Sequence, residues 1–148
     1  MEAIIFCGIQ ATGKSTFYQQ HFFNSHVRIS LDLLSTRNRE NLFLDACFNS
    51  FKAFVVDNTN PTVADRQKYI LRAQENKYKI KCYYFKSDIA EALQRNSLRT
   101  GKALVPEVGV RGAHRRLEIP SYAEGFDELY YVSIQDNQFV IKNWQDEI

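Results

Sequence analysis

The segment Gly8-Ile9-Gln10-Ala11-Thr12-Gly13-Lys14-Ser15 constrains this chain more than any other part of it. Two glycines with four residues between them, followed by Lys-Ser, form the G-x-x-x-x-G-K-[ST] pattern. Such a turn must curl with its amides inward, and it works only between a strand and a helix. The apolar run Ala3–Cys7 precedes it, and Thr16-Phe17-Tyr18-Gln19-Gln20 continues as a helix. Backbone N–H groups from about residues 11–16 then converge on an anion at the helix N-terminus. The expected ligand is a nucleoside triphosphate. Gly8, Ala11, Thr12, Gly13, Lys14, Ser15 and Thr16 form its cradle, with the Lys14 ammonium bridging the outer phosphates and the Ser15 hydroxyl ligating Mg²⁺.

The remainder of the chain alternates short apolar runs with helix-like segments. Strands are expected at Ala3–Cys7, Val27–Leu31, Ala53–Val56, Ile80–Phe85 and Leu129–Ile134, with an edge strand at Phe139-Val140-Ile141. Helices are expected over 62–76, opened by Asn60-Pro61, and from Asp88 through about Arg99, where Asp88 and Glu91 resemble a capping box. A third covers 36–52, with an apolar face through Leu42, Phe43, Ala46, Cys47, Phe48 and Phe51. This alternation predicts an α/β fold, a parallel sheet with helices on both faces. A chain of 148 residues suits one domain with one core.

In an open α/β sheet, ligands bind beyond the carboxyl ends of the strands. The phosphate loop, Asp32 and Asp57 leave the first three strands at that end, which is the arrangement a phosphotransferase needs. Asp32 is the candidate to orient and deprotonate an acceptor hydroxyl. Asp57, after Phe54-Val55-Val56, is placed to hold Mg²⁺ through water or to position the acceptor. Residues 101–125 carry Gly101, Gly109, Gly112 and Gly125 together with Lys102, Arg111, Arg115 and Arg116, as expected of a mobile lid over residues of about 100–118. Arg111 and Arg115 share a helix face at i,i+4. Arg99 and Lys102 flank the start of this segment, and Arg116 is expected to point elsewhere.

Composition excludes other classes. A net charge of +2 does not by itself announce a nucleic-acid binder. Cys7, Cys47 and Cys82 are widely spaced, as befits buried thiols in a reducing compartment. His21, His26 and His114 lack metal-ligand spacing and are expected at the surface. One ring of each pair Tyr83-Tyr84 and Tyr130-Tyr131 is expected in the core. No apolar stretch approaches a membrane span, so a cytoplasmic protein without membrane contact is expected.

The residues Gly8–Thr16, Ser30-Leu31-Asp32, Val56-Asp57-Asn58-Thr59-Asn60-Pro61 with Arg66, Leu104-Val105-Pro106 through Arg111 and Arg115, and Ile119–Phe126 together resemble the kinase domain of polynucleotide 5′-hydroxyl kinases. That family lies within the P-loop kinases related to adenylate kinase and zeta toxins. The resemblance implies a P-loop NTPase fold with strand order 2-3-1-4-5 and transfer of the ATP γ-phosphate to a DNA or RNA 5′-hydroxyl. It makes Asp32 the general base, and Lys14 and Arg111 its catalytic companions. Arg115 lies on the nucleotide, and Asp57, Asn58 and Arg66 on the acceptor. The family often has an arginine three residues after the base, where this chain has Ser35, with Arg37 or Arg39 as substitutes. The Asp-x-Asp-x-Thr phosphatase motif of many relatives does not occur, so end-healing would be kinase-only or shared with a separate phosphatase or ligase partner. Two other readings fit the same motifs: a kinase of a small hydroxylated metabolite, nucleoside or nucleotide sugar, and a non-catalytic ATP-binding regulatory module.

Overall fold

The computed structural model describes residues 1–145. Six strands form one sheet: β1 (Glu2–Cys7), β2 (Val27–Ile29), β3 (Phe54–Val56), β4 (Lys79–Phe85), β5 (Glu128–Gln135) and β6 (Gln138–Asn143), in the order β2-β3-β1-β4-β5-β6. The first five are parallel in the expected 2-3-1-4-5 order. The expected edge strand is present and longer than Phe139–Ile141. It pairs antiparallel with β5 through a turn at Asp136-Asn137, both at positive φ as a tight hairpin requires.

Helices cover both faces: α1 (Lys14–His21), α2 (Leu31–Leu34), α3 (Arg37–Ser50), α4 (Val63–Glu75), α5 (Ile89–Ser97) and α6 (Glu107–Arg116). One face of the sheet packs Ile5, Cys7, Val56 and Cys82 against Leu44, Cys47 and Phe48 of α3 and Tyr69, Ile70 and Ala73 of α4. The other packs Ile4, Phe6, Val55 and Phe85 against Phe17, Tyr18 and Phe22 around α1. A third cluster joins Ile9 of the phosphate loop to Ala92 of α5 and Val110 and Ala113 of α6. The three cysteines are free and buried.

Several local expectations shift. The apolar face of α3 is narrower than its sequence suggests: Leu44, Cys47 and Phe48 are buried, whereas Leu42, Phe43 and Phe51 are exposed and Ala46 faces outward. The cap of α4 is Thr62, not Asn60; Thr62 and Asp65 satisfy each other's backbone amides in a capping box. Asn60 instead turns at positive φ and donates its side-chain amide to Phe6 O at 2.8 Å. His26 is not a free surface group, since its ring packs on Phe22 and pairs with Glu2 at 2.8 Å. Tyr84 is buried, but both Tyr130 and Tyr131 are only half-buried, and Tyr130 stacks on Tyr83.

Arg66, expected at the acceptor, is wholly buried. Its guanidinium makes a two-point pair with Glu124, Nε to Oε1 at 2.7 Å and Nη2 to Oε2 at 3.1 Å, and donates to Asn60 O at 2.9 Å. It braces the Asn60 turn from behind and touches no cleft. Arg66→Ala should cost about 3–5 kcal/mol in urea unfolding because it strands the Glu124 carboxylate. Arg66→Met combined with Glu124→Met should recover most of that loss. A single-variant loss below about 1 kcal/mol would refute the bracing role.

Candidate functional site

The loop after β1 takes its form from close backbone contacts. A Cβ on Gly8 would lie 2.9 Å from Phe85 Cβ and 3.1 Å from Phe85 O. Gly13, at φ +92°, sits in the left-handed region, and a Cβ there would meet the Phe139 ring at 2.7 Å. Gly8 N donates to Thr59 O at 2.9 Å, and Ile9 N donates to Ser87 Oγ at 3.1 Å. The loop is thereby fixed between the tips of β3 and β4.

Lys14 folds back over the loop, its Nζ donating to Gly8 O at 2.9 Å and Ile9 O at 2.6 Å. Burial pushes its pKa down to about 8, against the opposing pull of Asp57. The ammonium therefore sits among carbonyls that phosphate oxygens can replace, with a charge that phosphate would reinforce.

Asp57 directly follows β3 and is buried, its amide bonded to Ile29 O at 2.7 Å. Its Oδ2 accepts from Ser15 Oγ at 3.0 Å. Arg28, from β2, donates to the same Oδ2 at 2.9 Å and to Ser15 Oγ at 3.1 Å. A hydroxyl and a carboxylate oxygen side by side are the hard donors Mg²⁺ takes, and the guanidinium seated on both marks the spot as favouring positive charge. These residues fit the metal. Arg28 escaped the sequence reading because a three-residue strand gives almost no alternation to show which face a side chain takes.

Asp32 lies in the first turn of α2, three residues beyond the end of β2, and is exposed. Asn58 Oδ1 holds the start of that helix by accepting from Leu31 N at 2.9 Å. Lys14, Ser15, Asp32 and Asp57 line one cleft of about 560 Å³. Ala11, Gly13, Thr16 and Asn58 of the expected site share it, and Thr12 is buried beneath. Its far wall is Arg99, Lys102, Ala103 and Val105.

Arg111 and Arg115 are not on that wall. Arg111 is exposed and pairs with Glu107 one turn earlier on α6, Nη2 to Oε1 at 2.7 Å. The i,i+4 spacing that aligned it with Arg115 aligns it equally with Glu107, and the apolar side of α6, Val110 and Ala113, is turned inward. Arg115 is exposed outside both clefts, and the basic side chains on the far wall of the first are Arg99 and Lys102. The expected lid is a docked segment here: Asn96 clamps Val105 with two hydrogen bonds, at 2.6 and 3.0 Å. Gly109 and Gly112 lie inside α6.

A second cleft of about 310 Å³ adjoins the first and shares Leu31, Asn58 and Thr59 with it. It is lined further by Arg37, Asn60, Pro61, Thr62, Asp65 and Arg116, so the arginine expected to point elsewhere belongs to a cleft. Arg37 lines this second cleft, whereas Arg39 lies at neither. His21 stacks on Phe17 at 4.3 Å, and no group of three or more potential metal-binding side chains occurs among the described residues. No helix among them is long and apolar enough to cross a membrane.

Comparison with known proteins agrees with this geometry. The profile of a family described as AAA domain matches residues 4–120. A bifunctional polynucleotide phosphatase/kinase of Schizosaccharomyces pombe is 26% identical over 98% of this chain, which spans 37% of that protein's length. Among solved structures, Kti12 of Chaetomium thermophilum in complex with ADP-AlF3 superposes with a TM-score of 0.68 at 15% identity, over 90% of each chain. A gluconokinase of Sinorhizobium meliloti does so at 0.63 and 17% identity, over 89% of this chain and 82% of its own. At these identities the structures speak for the fold alone. With a cleft at the strand tips around the phosphate loop and a family profile spanning most of its length, the chain belongs to the AAA-domain family and has the α/β fold of a P-loop kinase.

Proposed function

We propose that the protein transfers the γ-phosphate of ATP to the 5′-hydroxyl of a polynucleotide. The observation that carries this reading is the second cleft, where Arg37 and Arg116 stand next to the cleft that holds Asp32. A hydroxyl on a small metabolite needs only the first cleft, whereas a polynucleotide end brings further phosphates for guanidinium groups to meet. The S. pombe relative, matched along almost all of this chain, favours the same acceptor.

In this reading the loop amides and Lys14 hold the β- and γ-phosphates. Asp32 accepts the proton of the acceptor hydroxyl as its oxygen bonds to the γ-phosphorus. The bond to the β-phosphate oxygen breaks, and ADP leaves. Ser15 and Asp57 would hold Mg²⁺, which when bound would supply positive charge to the phosphate oxygens. Arg99 and Lys102 extend that neutralisation from the facing wall.

The test is γ-labelled ATP with Mg²⁺ and three acceptor sets: a 5′-hydroxyl oligonucleotide, its 5′-phosphorylated twin, and a panel of nucleosides, sugars and nucleotide sugars. Label confined to the 5′-hydroxyl oligonucleotide is expected. Transfer only to a small molecule, or ADP release without an acceptor, would replace the reading with a metabolite kinase or a regulatory ATP-binding module. Single-stranded oligonucleotide affinity should fall with salt at a log–log slope of about −1.4, for two phosphates neutralised. Arg116→Ala should reduce that slope by about 0.7. A flat salt response would remove the second cleft from acceptor binding.

A further inference from the structure

Glu40, in the first turn of α3, is a carboxylate at 1% exposure. A buried carboxylate needs donors on all sides, and this one has three. Arg37 Nη1 lies at 3.0 and 3.3 Å from its two oxygens, Tyr69 Oη at 2.9 Å and Asn58 Nδ2 at 3.1 Å. Tyr69 Oη also accepts from Arg37 at 2.9 Å. Burial and the adjacent Glu40 carboxylate both raise the Tyr69 pKa, so the phenol stays a donor. The network is closed and fully satisfied, which gives it one geometry instead of several.

Its consequences reach both clefts. With Nδ2 of Asn58 committed to Glu40, Oδ1 must face the other way, where it receives Leu31 N. Leu31 is the first residue of α2 and Asp32 the second. Two hydrogen bonds therefore run from Glu40 to the turn that carries the proposed base. On its other side Glu40 holds Arg37, which lines the second cleft.

We infer that Glu40 is a positioning residue of the acceptor side, setting the Asn58 amide so that the Asp32 turn and Arg37 are held in register. This rests on the reading of Asp32 as the group that orients the acceptor hydroxyl. Glu40 lines neither cleft, and its effect passes through Asn58 and Arg37. Glutamine is a poor replacement because its NH₂ group would confront donors.

The test is Glu40→Gln, followed by backbone amide exchange and by steady-state kinetics. The Leu31 amide should exchange about tenfold faster or more, while amides of Ile4, Ile5 and Val55 in the central strands keep their protection. With saturating nucleotide, kcat should fall roughly 10–100-fold and the acceptor KM should rise, with the nucleotide Kd unchanged. Asn58→Ala cuts the same relay without removing the carboxylate. It should also speed Leu31 exchange, and adding Glu40→Gln to it should cost little more at that amide. An unaltered Leu31 amide in Glu40→Gln would overturn the inference. So would a uniform loss of protection with weakened nucleotide binding, which marks a general structural role. If Glu40→Gln does not fold, Asn58→Ala decides: a faster Leu31 amide with lowered kcat supports the relay, and an unchanged one removes it. If the wild type labels no acceptor, the kinase reading falls, while the exchange measurement still decides whether Glu40 sets the Asp32 turn.

Discussion

Lys14→Ala should abolish phosphoryl transfer and strip the protein of useful affinity for nucleoside triphosphate while leaving it folded. Removal of one preorganised cationic donor from developing charge typically costs about 10²–10³ in rate, and Lys14 also serves ground-state phosphate binding. Calorimetric titration with ATP and the labelled-phosphate assay measure the two losses separately. The depressed pKa, about 8, adds a signature that a surface lysine would lack. Below that pH the ammonium is already protonated in the free protein. Above it, binding phosphate must first recharge the amine, so nucleotide affinity should weaken as pH rises through about 8. Lys14→Ala should lose this dependence. Wild-type affinity independent of pH from 7 to 9, or transfer retained in the variant, would take Lys14 out of phosphate recognition.

Asp32→Asn should separate the two halves of the site. Nucleotide binding should persist, because Asp32 is exposed across the cleft from Lys14 and contributes nothing to the loop's own hydrogen bonds. Transfer should fall by about 10²–10⁴, the usual loss when a general base is removed. The amide keeps the shape and one acceptor oxygen but cannot take a proton at neutral pH. Single-turnover transfer with saturating acceptor distinguishes this from weakened acceptor binding. Retained transfer would falsify the assignment of Asp32 as the base and leave nucleotide binding by the fold untouched.

How far these sites could be read from sequence depends on the range of the interactions that place them. The gathering of Lys14, Ser15, Asp32 and Asp57 at one cleft is legible because the phosphate-loop pattern places the first two, Asp32 and Asp57 follow β2 and β3 within three residues, and parallel strands end on one rim. Arg66 was misplaced because its partner Glu124 lies 58 residues away, and no local pattern announces a buried pair of that separation. Arg111 was misplaced for the opposite reason. Its partner Glu107 is one helical turn away, and the i,i+4 spacing that aligns two arginines serves an ion pair equally well. Leu42 and Phe43 belong to a broad apolar face in the sequence because apolar residues crowd α3 on more than one side, whereas packing against the sheet admits only the stripe through Leu44, Cys47 and Phe48. Glu40 gave no signal at all, since a glutamate in the first turn of a helix ordinarily stays in water.

The Phe139 ring beside Gly13 bears on when the anion cradle becomes competent. Gly13, Lys14 and their helix are adjacent in sequence and can form early, through local contacts. The ring that walls the Gly13 turn comes from β6, at the opposite end of the described chain, and also packs edge-on against Phe17 at 5.2 Å. A nascent chain carrying the whole phosphate motif therefore holds the donors but not their outer support until the last hairpin has docked. Because such long-range closure is slow relative to helix formation, nucleotide capture should mature late in folding, paced by strand pairing far from the motif.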